Sequence, residues 1–383
     1  MIDGFRIEDT SWAGISLRDA NNMVVQNNHT YETGASGIIV MPDKYFDGGE
    51  AEVTSKNIKV LNNTVERANW KWRSGQQRVG APQEALTLWG VDGFEIGGNL
   101  LKESTKEGID VKVGTRNGSI HSNTVTGTAQ VSGDFGSYRG GPAIYVDGNR
   151  ANTFNIDIYN NVVHNNTADG IIIADEDIAV GGVSDIRVYN NVVYDNGKMG
   201  VNGGVGIGVV HNAKDVEIVN NTVAGNIKSF VLGGSSGQVQ VEDILVRNNI
   251  FADSQFRSGV LNNAKNVTFD NNLSTEDFDV LFRSGSVSDL RESQNETVDS
   301  IDFLNPGKDN FRLKSSSAAI NNGSSKIGAY ALEDFNGVTR PLGGGIDQGA
   351  FEFGQGSAGA SSQGLLGNEA TAGLEIAADT GGF

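Results

Sequence analysis

Residues 84–112 read EALTLWGVDGFEIGGNLLKESTKEGIDVK. EALTLW at 84–89 and EGIDVK at 107–112 share one alternating pattern, with a GGNL corner at 97–100 between them, and PAIYVD at 142–147 repeats it a third time. Successive side chains of a strand point to opposite faces. Three such strands stacked in register therefore set Glu84 beside Glu107. Thr87, Asp110 and Tyr145 form a second column, and Trp89, Lys112 and Asp147 a third, all on the outward side.

Outward from this stretch, an asparagine-centred signature recurs at Asn28, Asn63, Asn99, Asn123, Asn161, Asn191, Asn221, Asn249 and Asn272, in settings such as VLNNTV, IYNNVV and VRNNIF. The spacings are 35, 36, 24, 38, 30, 30, 28 and 23 residues. A shortest period near 23 with variable insertions is what a three-sided coil of short strands needs, its loops extruded at set corners. Asn tolerates the left-handed backbone of a tight corner, and stacked Asn amides can hydrogen-bond from coil to coil. No long segment has a 3.6-residue period, so little helix is expected. The pattern predicts an all-β chain forming a single-stranded right-handed parallel β-helix over residues 1–353. Regular coils are expected over about 14–275 and an irregular C-terminal cap over 276–353. Residues 354–383, rich in Gly, Ala and Ser, read as a disordered tail. The opening MIDGFRIEDTSW reads as a strand already under way, so the natural N-terminus is expected upstream.

Composition narrows the partners. A net charge of −18 speaks against nucleic acid, which calls for a basic stripe. Apolar runs of four or five residues do not span a membrane. The absence of cysteine removes thiolate chemistry and fits export, so a secreted, monomeric protein is expected. Insertions at 42–56, 66–83 and 126–141 swell the repeat around the three columns. Their Trp70, Trp72, Arg73, Arg78, Tyr138 and Arg139 are expected to wall a groove over the face, because long loops on a rigid scaffold commonly carry function.

Neighbouring strands stack about 4.8 Å apart, so Lys112 is expected to touch Asp147, and Asp110 to touch Tyr145. Asp110 and Asp147, offset by one coil and two residues, should lie on the order of 8 Å apart. That separation suits two carboxyls acting across a glycosidic bond. Stacked Glu84 and Glu107 are costly without a cation, which makes them the expected calcium ligands. Trp89 is a candidate sugar-stacking platform, Glu176 in IIIADEDIAV extends the acidic face by one coil, and His211 is a further substrate-side candidate.

EGIDVK followed by VGTRNGSIHSNTV resembles the alginate lyase and chondroitinase B group of polysaccharide lyases, whose fold is a pectate-lyase-like solenoid. The resemblance implies that Glu107 binds calcium and that Lys112 is the base removing the proton α to a uronate carboxylate, with Tyr145 available as acid. That group's second Glu falls here on Thr105, and its Arg-His pair falls near Val146 and Asp147. The expected function is therefore β-elimination on an acidic extracellular polysaccharide. An inverting glycoside hydrolase using Asp110 and Asp147 is the alternative, and a noncatalytic carbohydrate-binding or adhesin β-helix is the third reading.

Overall fold

The computed structural model describes residues 1–44, 52–70, 84–131, 134–138, 140–176, 181–198, 203–234, 239–278 and 287–354. These residues form a right-handed parallel β-helix: three long parallel sheets of 11, 11 and 9 strands, each strand paired with its equivalents one coil before and one coil after. Helix among the described residues is limited to short 3-10 turns, such as Pro306–Lys308 and Ala329–Ala331. None of it is long and apolar enough to cross a membrane. Coil strands run from Ile2–Asp3 to Glu296–Thr297, beyond the expected 14–275 at both ends.

Alternation decides which side chains fill the bore. In Ile109–Lys112, Ile109 and Val111 enter a continuous Ile/Val/Leu core, which leaves Asp110 and Lys112 facing outward. Toward the C-terminal end Phe230, Phe251, Phe269 and Phe278 fill the bore with ring centroids 4.8–6.4 Å apart. The chain enters each third-sheet strand through a corner too tight for most side chains. A Cβ on Gly108 would lie 2.4 Å from the Ala143 carbonyl oxygen and 2.5 Å from Val125 Cγ1.

The asparagine corner divides its work between two adjacent residues. Asn27, Asn62, Asn160, Asn190, Asn220, Asn248 and Asn271 take the left-handed conformation, with φ between 52° and 57°. The asparagine that follows each of them is buried and stacks. Asn191 Oδ1 accepts both the backbone N–H (3.0 Å) and the side-chain amide (2.9 Å) of Asn161, and Asn191 Nδ2 donates to the Ile158 carbonyl (2.9 Å). This ladder joins all nine predicted asparagines and continues to Asn295. A second ladder, Asn166–Asn196–Asn226, begins at Thr128 on the next corner.

Beyond the last coil the chain turns back and lies along the outside of the asparagine corner. The left-handed Asn190, Asn220 and Asn248 donate their amides to the carbonyls of Glu333 (2.6 Å), Asp347 (2.9 Å) and Ser324 (2.9 Å). Buried Arg340 donates to Glu352 (2.7 Å) and to Asn190 Oδ1 (3.1 Å). Tyr330 and Phe311 pack on Tyr189 and Tyr194, each with ring centroids 4.8 Å apart. This returning segment forms a lateral strap.

Candidate active site

Four consecutive strands of the nine-stranded sheet carry the face: β1 (Leu86–Trp89), β2 (Ile109–Lys112), β3 (Ile144–Asp147) and β4 (Ile171–Ala174). Their register pairs Thr87 with Asp110, Asp110 with Tyr145, and Trp89 with Lys112, so the columns fall as read from the repeat. One coil further, Ile172 and Ala174 follow Tyr145 and Asp147, and one coil earlier Ile39 precedes Thr87. The polar patch is therefore bracketed by apolar positions on the same face.

Lys112 takes different partners from the one expected. Its ammonium lies 2.6 Å from Glu84 Oε1 and 2.5 Å from Asp110 Oδ2, carboxylates of the preceding coil and of its own strand, and leaves its stacked neighbour Asp147 without this contact. Burial works against the lysine charge, but Asp110 and Glu84 more than offset it and hold its pKa well above the ordinary lysine value. Burial pushes the Asp110 carboxyl well above the usual range, with Lys112 pulling against the shift. Asp147 is pushed up to about 7, chiefly by burial, although the Glu176 N–H donates to its Oδ1 (2.9 Å). The Tyr145 phenol is raised by burial and then by Asp147 and Asp110, so it stays protonated. Asp110 and Asp147 are 2% and 1% exposed. Asp110 Oδ1 and Asp147 Oδ2 have no hydrogen-bond partner among the described residues.

Glu84 and Glu107 do sit on adjacent coils, the Ala85 N–H donating to the Glu107 carbonyl (2.8 Å). Calcium takes six to eight oxygens, and here each of the two carboxyls faces a lysine. The Lys112 ammonium already sits against Glu84, and Lys106 lies 3.8 Å from Glu107, whose carboxyl is raised by burial. No group of three or more His, Asp or Glu residues arranged to hold a metal occurs among the described residues.

The remaining candidates separate. Trp89 is buried with Ile39, Met41 and Val113, and Arg150 lies 4.9 Å over its ring, so it packs as core rather than offering an open platform. Glu176 reaches the site through its backbone, while its exposed carboxylate accepts from Asn149 Nδ2 (2.9 Å). His211 is a left-handed corner residue (φ 48°) whose carbonyl accepts the Asp175 N–H (2.9 Å). Trp72, Arg73, Arg78 and Arg139 lie outside the described residues, as does the side chain of Tyr138.

Several supporting residues escaped the sequence reading. Thr115 hangs its hydroxyl on the Leu88 (3.1 Å) and Lys112 (2.8 Å) carbonyls, tying the ends of β1 and β2 together. Buried Asp175 accepts from the Asn149 N–H (3.1 Å) and Asn212 Nδ2 (2.8 Å), bracing the corner beyond Asp147. The DGNR run at 147–150 was the available signal for that corner.

A family model described as "Right handed beta helix region" matches residues 1–177. Among solved structures, the chain is similar to a tailspike protein of an E. coli bacteriophage, with a TM-score of 0.51 and 11% identity over 70% of this chain and 47% of that one. It thus spans about half of the tailspike chain. It is also similar to a pectate lyase (TM-score 0.43, 15% identity, 85% of this chain and 88% of that one) and to a surface adhesin of Streptococcus pneumoniae (TM-score 0.41, 13% identity, 73% and 70%). The tailspike likeness speaks for the fold. No curated protein matches the chain.

Proposed function

We propose that the outward face of β1–β4 is a glycan-hydrolysing site in which Asp147 is the general acid and Asp110 the general base. The observation that carries this reading is the position of Lys112. Elimination would need this amine to accept a proton, but two carboxylates within 2.6 Å keep it an ammonium. The same contact divides the aspartates. Lys112 donates to Asp110 and pulls against the burial that raises its carboxyl, while Asp147, pushed up to about 7 by burial and without that contact, retains a proton to give near neutral pH. Their offset of one coil and two residues puts their backbones on the order of 8 Å apart, compatible with the roughly 6.5–9.5 Å between carboxyls that leaves room for a water in inverting hydrolysis.

The test is release of reducing ends from polysaccharides by the purified protein, with ultraviolet absorbance recorded for unsaturated uronate. Asp147→Asn and Asp110→Asn should each abolish reducing-end release with an unchanged β-type circular dichroism spectrum. Formation of the unsaturated chromophore that disappears in Lys112→Ala would refute hydrolysis and restore the elimination reading.

A further inference from the structure

The charge around the face is arranged against the substrate class that the lyase resemblance implies. Five carboxyl groups converge here: Glu84, Glu107, Asp110, Asp147 and Glu176. Each of the last four contributes to raising the Tyr145 phenol, and Glu84 to raising Asp110. Three cations stand among them, and each is engaged. Lys112 lies between Glu84 and Asp110, Lys106 beside Glu107, and Arg150 over the Trp89 ring with its Nε donating to Asn149 Oδ1 (3.0 Å). Both lysines of the face are thus taken up by its own carboxyls.

A second observation points to what the face does accept. Asp110 and Asp147 are almost wholly buried, yet Asp110 Oδ1 and Asp147 Oδ2 lack partners among the described residues. Buried polar atoms are ordinarily satisfied, and an unmet acceptor at a candidate site is one that a ligand donor can satisfy. A carboxyl oxygen accepts O–H or N–H groups, and an ionised one repels another carboxylate. Ile172, Ala174 and Ile39 border the patch and add no charge to it.

We infer that this site takes uncharged, hydroxyl-bearing sugar units rather than uronates, the two unpartnered aspartate oxygens receiving substrate hydroxyls. The inference rests on the hydrolytic reading for its turnover but not for its binding, and the experiment keeps the two apart. The wild-type protein is run in affinity gel electrophoresis against neutral glycans (laminarin, galactomannan and arabinoxylan), polyuronates (alginate and polygalacturonate) and the amino-sugar polymer chitosan. Reducing ends are assayed on the same panel. A neutral glycan should retard the protein, and Asp147→Ala should weaken that retardation at least tenfold, by removing the acceptor oxygen. Where turnover occurs, kcat/KM on a neutral glycan should exceed that on either polyuronate by at least about a hundredfold, the scale of a like-charge mismatch in a desolvated site. Retardation by a polyuronate, by chitosan alone, or by no member of the panel overturns the inference. Retardation by a neutral glycan without reducing ends upholds it while removing the hydrolytic role.

Discussion

Asp147 offers the sharpest thermodynamic test, because its displaced protonation makes stability depend on pH in a direction opposite to that of an ordinary salt-bridged carboxylate. Its pKa rises from 3.8 to about 7, mainly through burial at 1% exposure. A carboxyl raised in the folded state contributes stability that is fully present below its unfolded pKa and is lost as pH rises through the folded value. The window therefore runs from about pH 4 to just above pH 7. At about 1.4 kcal/mol per unit, a shift of about three units corresponds to roughly 4 kcal/mol lost across it, as an order of magnitude. Asp147→Asn keeps an oxygen for the Glu176 N–H, places an amide where Oδ2 has no partner, and cannot ionise. Urea unfolding of both proteins at several pH values between 4 and 8 should show the variant gaining on wild type by about 4 kcal/mol toward the alkaline end. Glu107, Asp110 and Asp169, also raised by burial, contribute slopes of the same sign that survive in the variant. Parallel stability profiles for the two proteins would refute the displaced protonation and, with it, the acid assigned to the reaction.

Lys112→Met withdraws the ammonium from between Glu84 and Asp110. Urea unfolding should show a loss of about 3–5 kcal/mol at pH 8, shrinking at pH 5 as the carboxyls take up protons. Asn191→Ala strips the Asn161 N–H, the Asn161 amide and the Ile158 carbonyl of buried partners and should cost about 3 kcal/mol or more. Asn28→Ala, at the first rung of the ladder, whose partners Phe5 and Ile2 belong to the outermost coil, should cost about 1 kcal/mol by the same measurement. Because lysines already lie against Glu84 and Glu107, EDTA and added calcium should both leave the thermal midpoint unchanged in calorimetry.

The fold was legible because the constraint that makes it repeats. Nine corners use the same asparagine for the same hydrogen bonds, so the period survives insertions that change the spacing from 23 to 38 residues. The β1–β3 register was legible for a related reason, since alternation leaves each outward side chain one possible column. What escaped was decided by side-chain torsions and long-range packing. Lys112 can reach either coil neighbour, and no local rule says that it turns toward Glu84. Trp89 reads as a platform until Ile39 and Met41, one coil earlier but 50 and 48 residues back in sequence, are seen to enclose it. The second amide ladder begins with Thr128, a residue outside the asparagine signature, and the strap along the corner joins positions as far apart as Asn190 and Arg340.

That strap changes how the molecule comes apart and goes together. In a solenoid each coil touches only its neighbours, so coils can open one at a time from an end. Asn190, Asn220 and Asn248 belong to three successive coils held by one segment, so none of the three can open without disturbing what holds the others. The downstream coils consequently behave as a single cooperative unit, while those before Asn160 retain stepwise, nearest-neighbour opening. Assembly acquires a late step as well. The coils can accumulate locally as the chain emerges, but the block locks only when residues 324–352 have arrived, a closure between positions 76 to 150 apart in sequence.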